Sequence, residues 1–519
     1  MEGTALFRGG RIFTGHRWVS AIAVEAGRVV AAGTDAEVRR ASHNAERVDL
    51  AGRVVIPGLI DAHLHLTGLA LERVGVNLAG TRHEGEITER CTAWAADHPD
   101  GPVIGRGWDQ ERMEGRAYPR RATLDQAFPD REVVLWRVCG HAAFVNSRAL
   151  DTLGIVASTD DPAGGRIVHD EQGNPTGVLI DAAMDGLGSI RHRAMLAHPE
   201  ATDRVLLDAS ACGLTTVASM SAAPAEVRAA AERALRAPPP VRLRYYVDLA
   251  ARSEVERHPR EWAEGLVRVS GVKAITDGSF GAHTAWLSEP YDDRPGEVGL
   301  PIGSSDALAD EIGVAGELGL QVALHAIGDR AIYRALRLLQ LGYAGPTPRI
   351  EHASLLPPNL YPFLDRVRPH LVVQPRFVVS DFWLPERLGA VRARFAYSFR
   401  SLLERGYRLA GSSDAPVEAF DPWTGIAAAV YRGEPHAGRW ESAASERLPP
   451  ESAVKLYTVG AGEALEEPGL GTLETGAPAD LVVLRVPSLE EAVDAGQAAV
   501  AETWLGGTRV YPVDRGAGA

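Results

Sequence analysis

His63 and His65 stand two residues apart in the run Ile60-Asp61-Ala62-His63-Leu64-His65. On a strand, residues i and i+2 face the same way, so both imidazoles can bind one metal ion. In a chain with 16 histidines such a pair carries little weight by itself. Four further residues strengthen it: Lys273 in Gly271-Val272-Lys273-Ala274-Ile275, His325 in Val322-Ala323-Leu324-His325, His352 in Arg349-Ile350-Glu351-His352-Ala353, and Asp414 in Gly411-Ser412-Ser413-Asp414-Ala415-Pro416. Neutral imidazoles and carboxylates are ligands that Zn and similar divalent cations accept, and four histidines with one aspartate suffice for one or two ions. A lysine ammonium is no ligand, and a buried unpaired charge is costly. Lys273 is therefore read in two ways: ion-paired with a neighbouring acid, or carbamylated by carbon dioxide into a carboxylate able to bridge two cations.

Chemistry of this kind requires elements that gather residues from distant parts of the chain. Apolar runs at 54–61, 215–218, 241–247, 272–276, 321–325, 348–352, 370–374 and 408–412 alternate with helical patterns such as 202–212, 225–236, 306–318 and 330–341. That alternation predicts an α/β fold, a (β/α)8 TIM barrel. Barrel active sites collect residues from the carboxyl ends of several strands. Lys273 lies in strand four, His325 closes strand five, His352 closes strand six and Asp414 follows strand eight. The stretch 67–199 is far longer than one crossover and reads as an inserted subdomain. Short strands separated by turns at both ends predict a composite β-sandwich from 1–56 and 470–519, leaving 57–469 for the barrel.

Composition narrows the classes. The 519 residues are 45% hydrophobic and 24% charged, an ordinary globular balance that excludes disordered and collagenous chains. The net charge of -14, with no basic run, argues against a nucleic-acid partner. Cys91, Cys139 and Cys212 are widely spaced and odd in number; they fit a reducing compartment and are read as small buried hydrophobes. No signal-peptide pattern and no apolar run of about 18 residues is present, so the expectation is a cytoplasmic protein with no membrane partner. No G-x-S-x-G elbow, G-x-G-x-x-G turn or P-loop occurs, which removes serine-hydrolase and nucleotide-dependent readings.

The order of HxH after strand one, lysine in strand four, histidines after strands five and six and aspartate after strand eight resembles the metal-dependent amidohydrolase superfamily. The wording Pro57-Gly58-Leu59-Ile60-Asp61-Ala62-His63-Leu64-His65, Asp277-Gly278-Ser279-Phe280-Gly281, His325-Ala326-Ile327-Gly328-Asp329-Arg330 and Gly411-Ser412-Ser413-Asp414-Ala415-Pro416 is similar to the YtcJ-like branch (amidohydrolase family 3), which includes N-substituted formamide deformylases. The resemblance covers nearly the whole chain. It implies a metal-bearing barrel, a β-sandwich from both termini and an insertion that closes over the site. It also implies metal ligation by His63, His65, His325, His352 and Asp414, with carbamylated Lys273 as the bridge. Where relatives carry Ser-Arg before Thr-Ala, this chain has Gly281-Ala282-His283-Thr284-Ala285, so His283 is expected to alter the pocket.

The reading that follows is a metal-dependent hydrolase of a C-N amide-type bond, an N-substituted formamide or similar linear amide, in a small organic molecule. A metal ion lowers the pKa of water toward 7 and polarises the carbonyl. His63, His65 and Asp414 would hold one ion, and His325 and His352 the second. Lys273 and Asp414 are the catalytic candidates, Asp414 moving the proton from water to the leaving nitrogen. The cofactor is one or two divalent ions, Zn first, with Mn, Fe or Co accepted by the same ligands. Trp108, Asp109, His141 and His283 are the candidate substrate contacts, with Asn146 beside them. Asp61 is read either as an acceptor for a ligand imidazole or as a cap for backbone N–H groups, and Asp480 as a turn residue. Glu351 and Arg330 flank ligands and read equally as structural ion-pair partners. Two alternatives stay open: a cyclic amide or imide hydrolase or deaminase on the same metal site, and a catalytically silent scaffold. The partner is a small-molecule substrate, and a homodimer is left open.

Overall fold

A computed structural model describes residues 4–41, 45–162, 164–196, 198, 200–253, 265–433 and 444–513. The outermost parts of the two terminal segments, 1–3 and 514–519, lie outside the described residues. Apolar runs covered on both faces become strands of a parallel sheet, and eight of them follow one another around the barrel: Leu59–Leu64, Leu214–Ala222, Arg242–Asp248, Val267–Ile275, Gln321–Ala326, Arg349–His352, His370–Val373 and Arg408–Gly411. Strand eight returns to strand one through backbone bonds, Asp414 N to His63 O at 2.8 Å and His65 N to Ala415 O at 2.7 Å. Helices Ala201–Ala211, Pro224–Arg236, Ser305–Glu317 and Asp329–Gly342 cover the outside. Proline at the first turn of Pro224–Arg236 and the Ser304 side chain, which accepts from Ala307 N, start two of them.

The first strand departs from the expected 54–61. The apolar run breaks at Gly58: Val54–Pro57 pairs with strands of an outer sheet, and the barrel strand begins at Leu59. A Cβ on Gly58 would lie 2.2 Å from Thr215 Oγ1, so the crossing of the two sheets leaves room for glycine only.

Strands from both ends of the chain form one continuous eight-stranded sheet, in which Leu481–Leu484 and Val500–Leu505 continue from Val54–Pro57 and Ala5–Phe13. Phe7 and Trp504 lie on strands separated by two others, yet their ring centroids are 5.3 Å apart. Neighbouring strands are about 4.8 Å apart, so a flat sheet would hold the rings much farther apart. The two layers expected of a sandwich are two halves of one coiled sheet. The segment between strands one and two carries a six-stranded mixed sheet, Gly165–His169, Pro175–Asp181, Ala142–Val145, Val133–Arg137, Val103–Trp108 and Val76–Asn77 in spatial order. Among the parts of this insertion that reach the barrel mouth are the strand residues Ile104, Gly105 and Arg106 and the turn that carries Cys139, Gly140 and His141. Among the described residues no helix is long and apolar enough to cross a membrane.

Candidate metal centre

The candidate ligands converge at the carboxyl ends of the barrel strands. Asp61 ties the first of these ends to the last, its carboxylate accepting from His63 N at 3.2 Å, Ser413 N at 3.1 Å and Ser413 Oγ at 2.5 Å. Burial raises its pKa to about 6 against the pull of those bonds. Of its two expected roles it fills the backbone cap; it touches no ligand imidazole. His352 and Asp414 have φ of 71° and 57°, a left-handed conformation that costs non-glycine residues of the order of 1–3 kcal/mol.

Each imidazole has one nitrogen committed to an acceptor, which defines the other. His63 Nδ1 lies 2.6 Å from Glu351 Oε2; burial would raise the Glu351 carboxyl, but Arg349, the bond from His63 and Lys273 together hold it far below the carboxylate range. The proton is therefore on Nδ1, and Nε2 carries a lone pair. His65 Nδ1 faces the Met220 carbonyl at 3.2 Å, and His352 Nδ1 faces Gln374 Oε1 at 2.8 Å. The Gln374 amide nitrogen donates to Ser412 Oγ at 2.9 Å, which orients its oxygen toward His352. His325 is reversed: Nε2 donates to the Gly278 carbonyl at 3.1 Å, leaving Nδ1 free. Burial pushes the pKa of His65 down to about 4 and of His352 to about 3, and holds His325 well below its ordinary value. All three are neutral imidazoles at pH 7.

Lone pairs then meet with no proton between them. His63 Nε2 and His65 Nε2 lie 3.2 and 3.3 Å from Asp414 Oδ1. His63 Nε2 and Asp414 Oδ1 are both buried without a hydrogen-bond partner. Three acceptors within 4.8 Å of one another repel unless a cation lies among them, and two imidazole nitrogens with a carboxylate oxygen are a donor set suited to a divalent ion. This His63, His65 and Asp414 group is the one such three-ligand set among the described residues. His352 and His325 continue from it, with ring centroids 5.0 Å between His63 and His352 and 4.4 Å between His352 and His325.

Lys273, 2% exposed, lines the same cavity. No carboxylate lies within ion-pair distance of it among the described residues. Burial lowers its pKa, which favours the neutral amine. Of its two readings, the ion pair finds no partner among the described residues.

The cavity holds about 570 Å³. His141 lines it, with its ring 5.3 Å from that of His325 and its Nδ1 2.7 Å from Asp181 Oδ1. Three other expected contacts do not line it. Trp108 is fully buried in the core of the inserted sheet, its Nε1 donating to Leu135 O at 2.7 Å. Asp109 pairs with Arg137 at 2.6 Å and caps the short helix Gln110–Arg112. His283 is buried against Tyr291 and bonded to Asp293 at 2.8 Å. Asn146 caps the helix Ser147–Leu153. Cys91 and Cys212 are buried as expected, but Cys139 lies in the cavity wall. Asp480 is no simple turn residue: it pairs with Arg242 at 2.9 and 3.0 Å and accepts from Gly506 N, fastening the outer sheet to the barrel. Arg330 lies over the Trp286 ring at 4.5 Å.

Three residues the sequence left unassigned have structural roles at the site. Gln374 and Asp181 each close an apolar strand with a polar side chain, a local pattern that could have marked them. Asp277 accepts backbone N–H bonds from Trp286, Ile327 and Gly328, pinning the ends of strands four and five together.

A sequence model of the amidohydrolase family matches residues 46–511. YtcJ of Bacillus subtilis (strain 168), which carries the name of an amidohydrolase, is 34% identical over 498 residues, covering 92% of this chain and 94% of that protein. N-substituted formamide deformylase of Arthrobacter pascens is 28% identical over 508 residues, 89% of each chain. The crystal structure of an uncharacterized metal-dependent hydrolase from Pyrococcus horikoshii OT3 superposes with a TM-score of 0.79 at 28% identity, over 96% of this chain and 100% of that one.

Proposed function

Since the chain belongs to the amidohydrolase family and is a metal-dependent hydrolase of C-N bonds other than peptide bonds, we propose that its substrate is an N-substituted formamide or similar linear amide of a small molecule. The observation that carries the reading is the meeting of His63 Nε2, His65 Nε2 and Asp414 Oδ1 with no proton donor among them. The likeness to N-substituted formamide deformylase supports the choice of bond. His63, His65 and Asp414 would hold one ion and His325 and His352 a second, with Lys273, as its carbamate, the residue that would serve both. Zn is the first choice of metal for such ligands. When bound, the ion lowers the pKa of water toward neutrality and polarises the amide carbonyl.

The residues of the chain do the rest. Glu351, Met220 O, Gln374 and Gly278 O fix the four imidazole rings in the tautomers that turn a lone pair to the site. Asp414 Oδ1 faces two imidazoles, which leaves Oδ2 to take a proton from the attacking water and deliver it to the leaving nitrogen. The insertion covers the mouth with His141. The free thiols of Cys91, Cys139 and Cys212 support a cytoplasmic setting.

The test is a metal-quantified preparation screened against N-formyl amines, linear N-acyl amines, cyclic imides and aminated heterocycles. One to two divalent ions per chain and turnover of the linear amides are expected. Less than about 0.2 ion per chain after expression in metal-supplemented medium would overturn the site. Hydrolysis confined to cyclic imides or to deamination would transfer the assignment to that chemistry, and full metal without turnover of any class would make the barrel a scaffold.

A further inference from the structure

Arg106 belongs to the strand Val103–Trp108 of the inserted sheet, and its side chain lines the cavity that holds the metal ligands. A guanidinium carries five N–H donors in a planar fork. Here Nη2 donates to the Val138 carbonyl at 2.6 Å, the one hydrogen bond its side chain makes among the described residues. No carboxylate lies within ion-pair distance of it among the described residues; Glu72, at the rim, acts on it only through space.

One turn links this cation to the reacting centre. Val138 accepts its bond, and Gly140, at φ 75°, lies against it, so that a Cβ there would sit 3.6 Å from Nη1. His141, next along, has its ring 5.3 Å from that of His325. Leu71, Ile104 and Trp136, packed together in one cluster, supply apolar wall to the same cavity.

We propose that Arg106 is a substrate-anchoring residue that takes a carboxylate on the substrate through paired N–H···O bonds while the amide lies at the metal ligands. The substrate class is then an N-acyl or N-formyl amine with an apolar body and one remote carboxylate. Glu72, Asp185 and Asp248 line the exposed rim of the cavity and disfavour a second anionic group. This assignment rests on the amide-hydrolase reading of the cavity, but its test is made on binding, so that the two can fail separately.

The probes are 4-phenylbutyrate and its neutral isostere 5-phenylpentan-2-one, neither of which has an amide to hydrolyse. Each is titrated by calorimetry into the holoprotein and into Arg106→Gln and Arg106→Lys at equal metal content. The parent is expected to bind the carboxylate about 10- to 100-fold more tightly than the ketone, the range of a charge-assisted bond. That ratio should fall below about 3-fold in Arg106→Gln, and in Arg106→Lys, which keeps the charge but not the fork, it should lie at least about 3-fold under the parent's. A parent without the preference, a Gln variant that retains it, or a Lys variant equal to the parent would each overturn the assignment; the last two would place the anion at the metal or show that no fork is used. Failure of the amide-hydrolase reading would show instead as absence of turnover in the screen, with the binding ratios intact.

Discussion

Glu351→Gln tests how the barrel interior holds His63. The carboxylate is fully buried and accepts three bonds, from Arg349 Nε at 2.7 Å, Arg349 Nη2 at 3.0 Å and His63 Nδ1 at 2.6 Å. A glutamine of the same shape has one oxygen and turns an NH2 donor toward one of those partners. It also removes the negative charge that balances the buried Arg349 cation, whose other contacts are the Ala62 carbonyl at 2.6 Å and the Tyr246 ring face at 4.5 Å. Removing one partner of a buried pair costs about 3–5 kcal/mol. At about 2.1 cal/mol/K of unfolding entropy per residue, a chain of 519 residues loses roughly 1 °C of Tm per kcal/mol, so a fall of about 3–5 °C is expected. Loss of the carboxylate behind a ligand imidazole should weaken metal binding about 10- to 100-fold.

Melting with chelator present isolates the first effect, and competition against a chelator of known affinity measures the second. Arg349→Met combined with Glu351→Gln removes both charges and should recover most of the melting temperature but none of the metal affinity. A single variant that melts within about 1 °C of the parent would refute the energetic coupling. Unchanged metal affinity would remove Glu351 from the orientation of His63.

Asp414→Asn should reduce turnover by more than about 100-fold while retaining part of the metal, because an amide oxygen coordinates but moves no proton; activity within a few fold at equal metal content would place the proton transfer elsewhere. Lys273→Ala should lose activity and the more weakly held metal together, with partial recovery of both in high propionate; full two-metal occupancy with parental turnover would remove the bridge. Asp381, which accepts from the Tyr397 hydroxyl at 2.5 Å, has its pKa raised to about 7 by burial. The folded state therefore holds more protons than the unfolded one between about pH 4 and 7, and this group's contribution to stability falls as pH rises through that window. In Asp381→Asn, the Tm difference from the parent should become more positive between pH 4 and 8, and a difference constant with pH would contradict the raised value.

The local sequence was enough to locate the barrel and the ends of its strands. A strand covered on both faces needs an unbroken apolar run, so Gln321–Ala326 and His370–Val373 announce themselves, and a histidine that closes such a run is conspicuous because its neighbours are not polar. Helix bounds followed for the same reason, agreeing within one residue at Ala201–Ala211 and Asp329–Gly342. Which polar groups meet was decided by closure of the barrel. Glu351 reaches His63 across 288 residues of chain and Ser413 reaches Asp61 across 352, separations at which no sequence spacing carries information. The direction of a side chain in the insertion was equally hidden. Trp108 and Arg106 lie two apart on one strand, yet Trp108 is buried in the core of the inserted sheet and Arg106 lines the cavity; a register shift between Arg106 and Trp108 breaks the alternation that would have put both on one face.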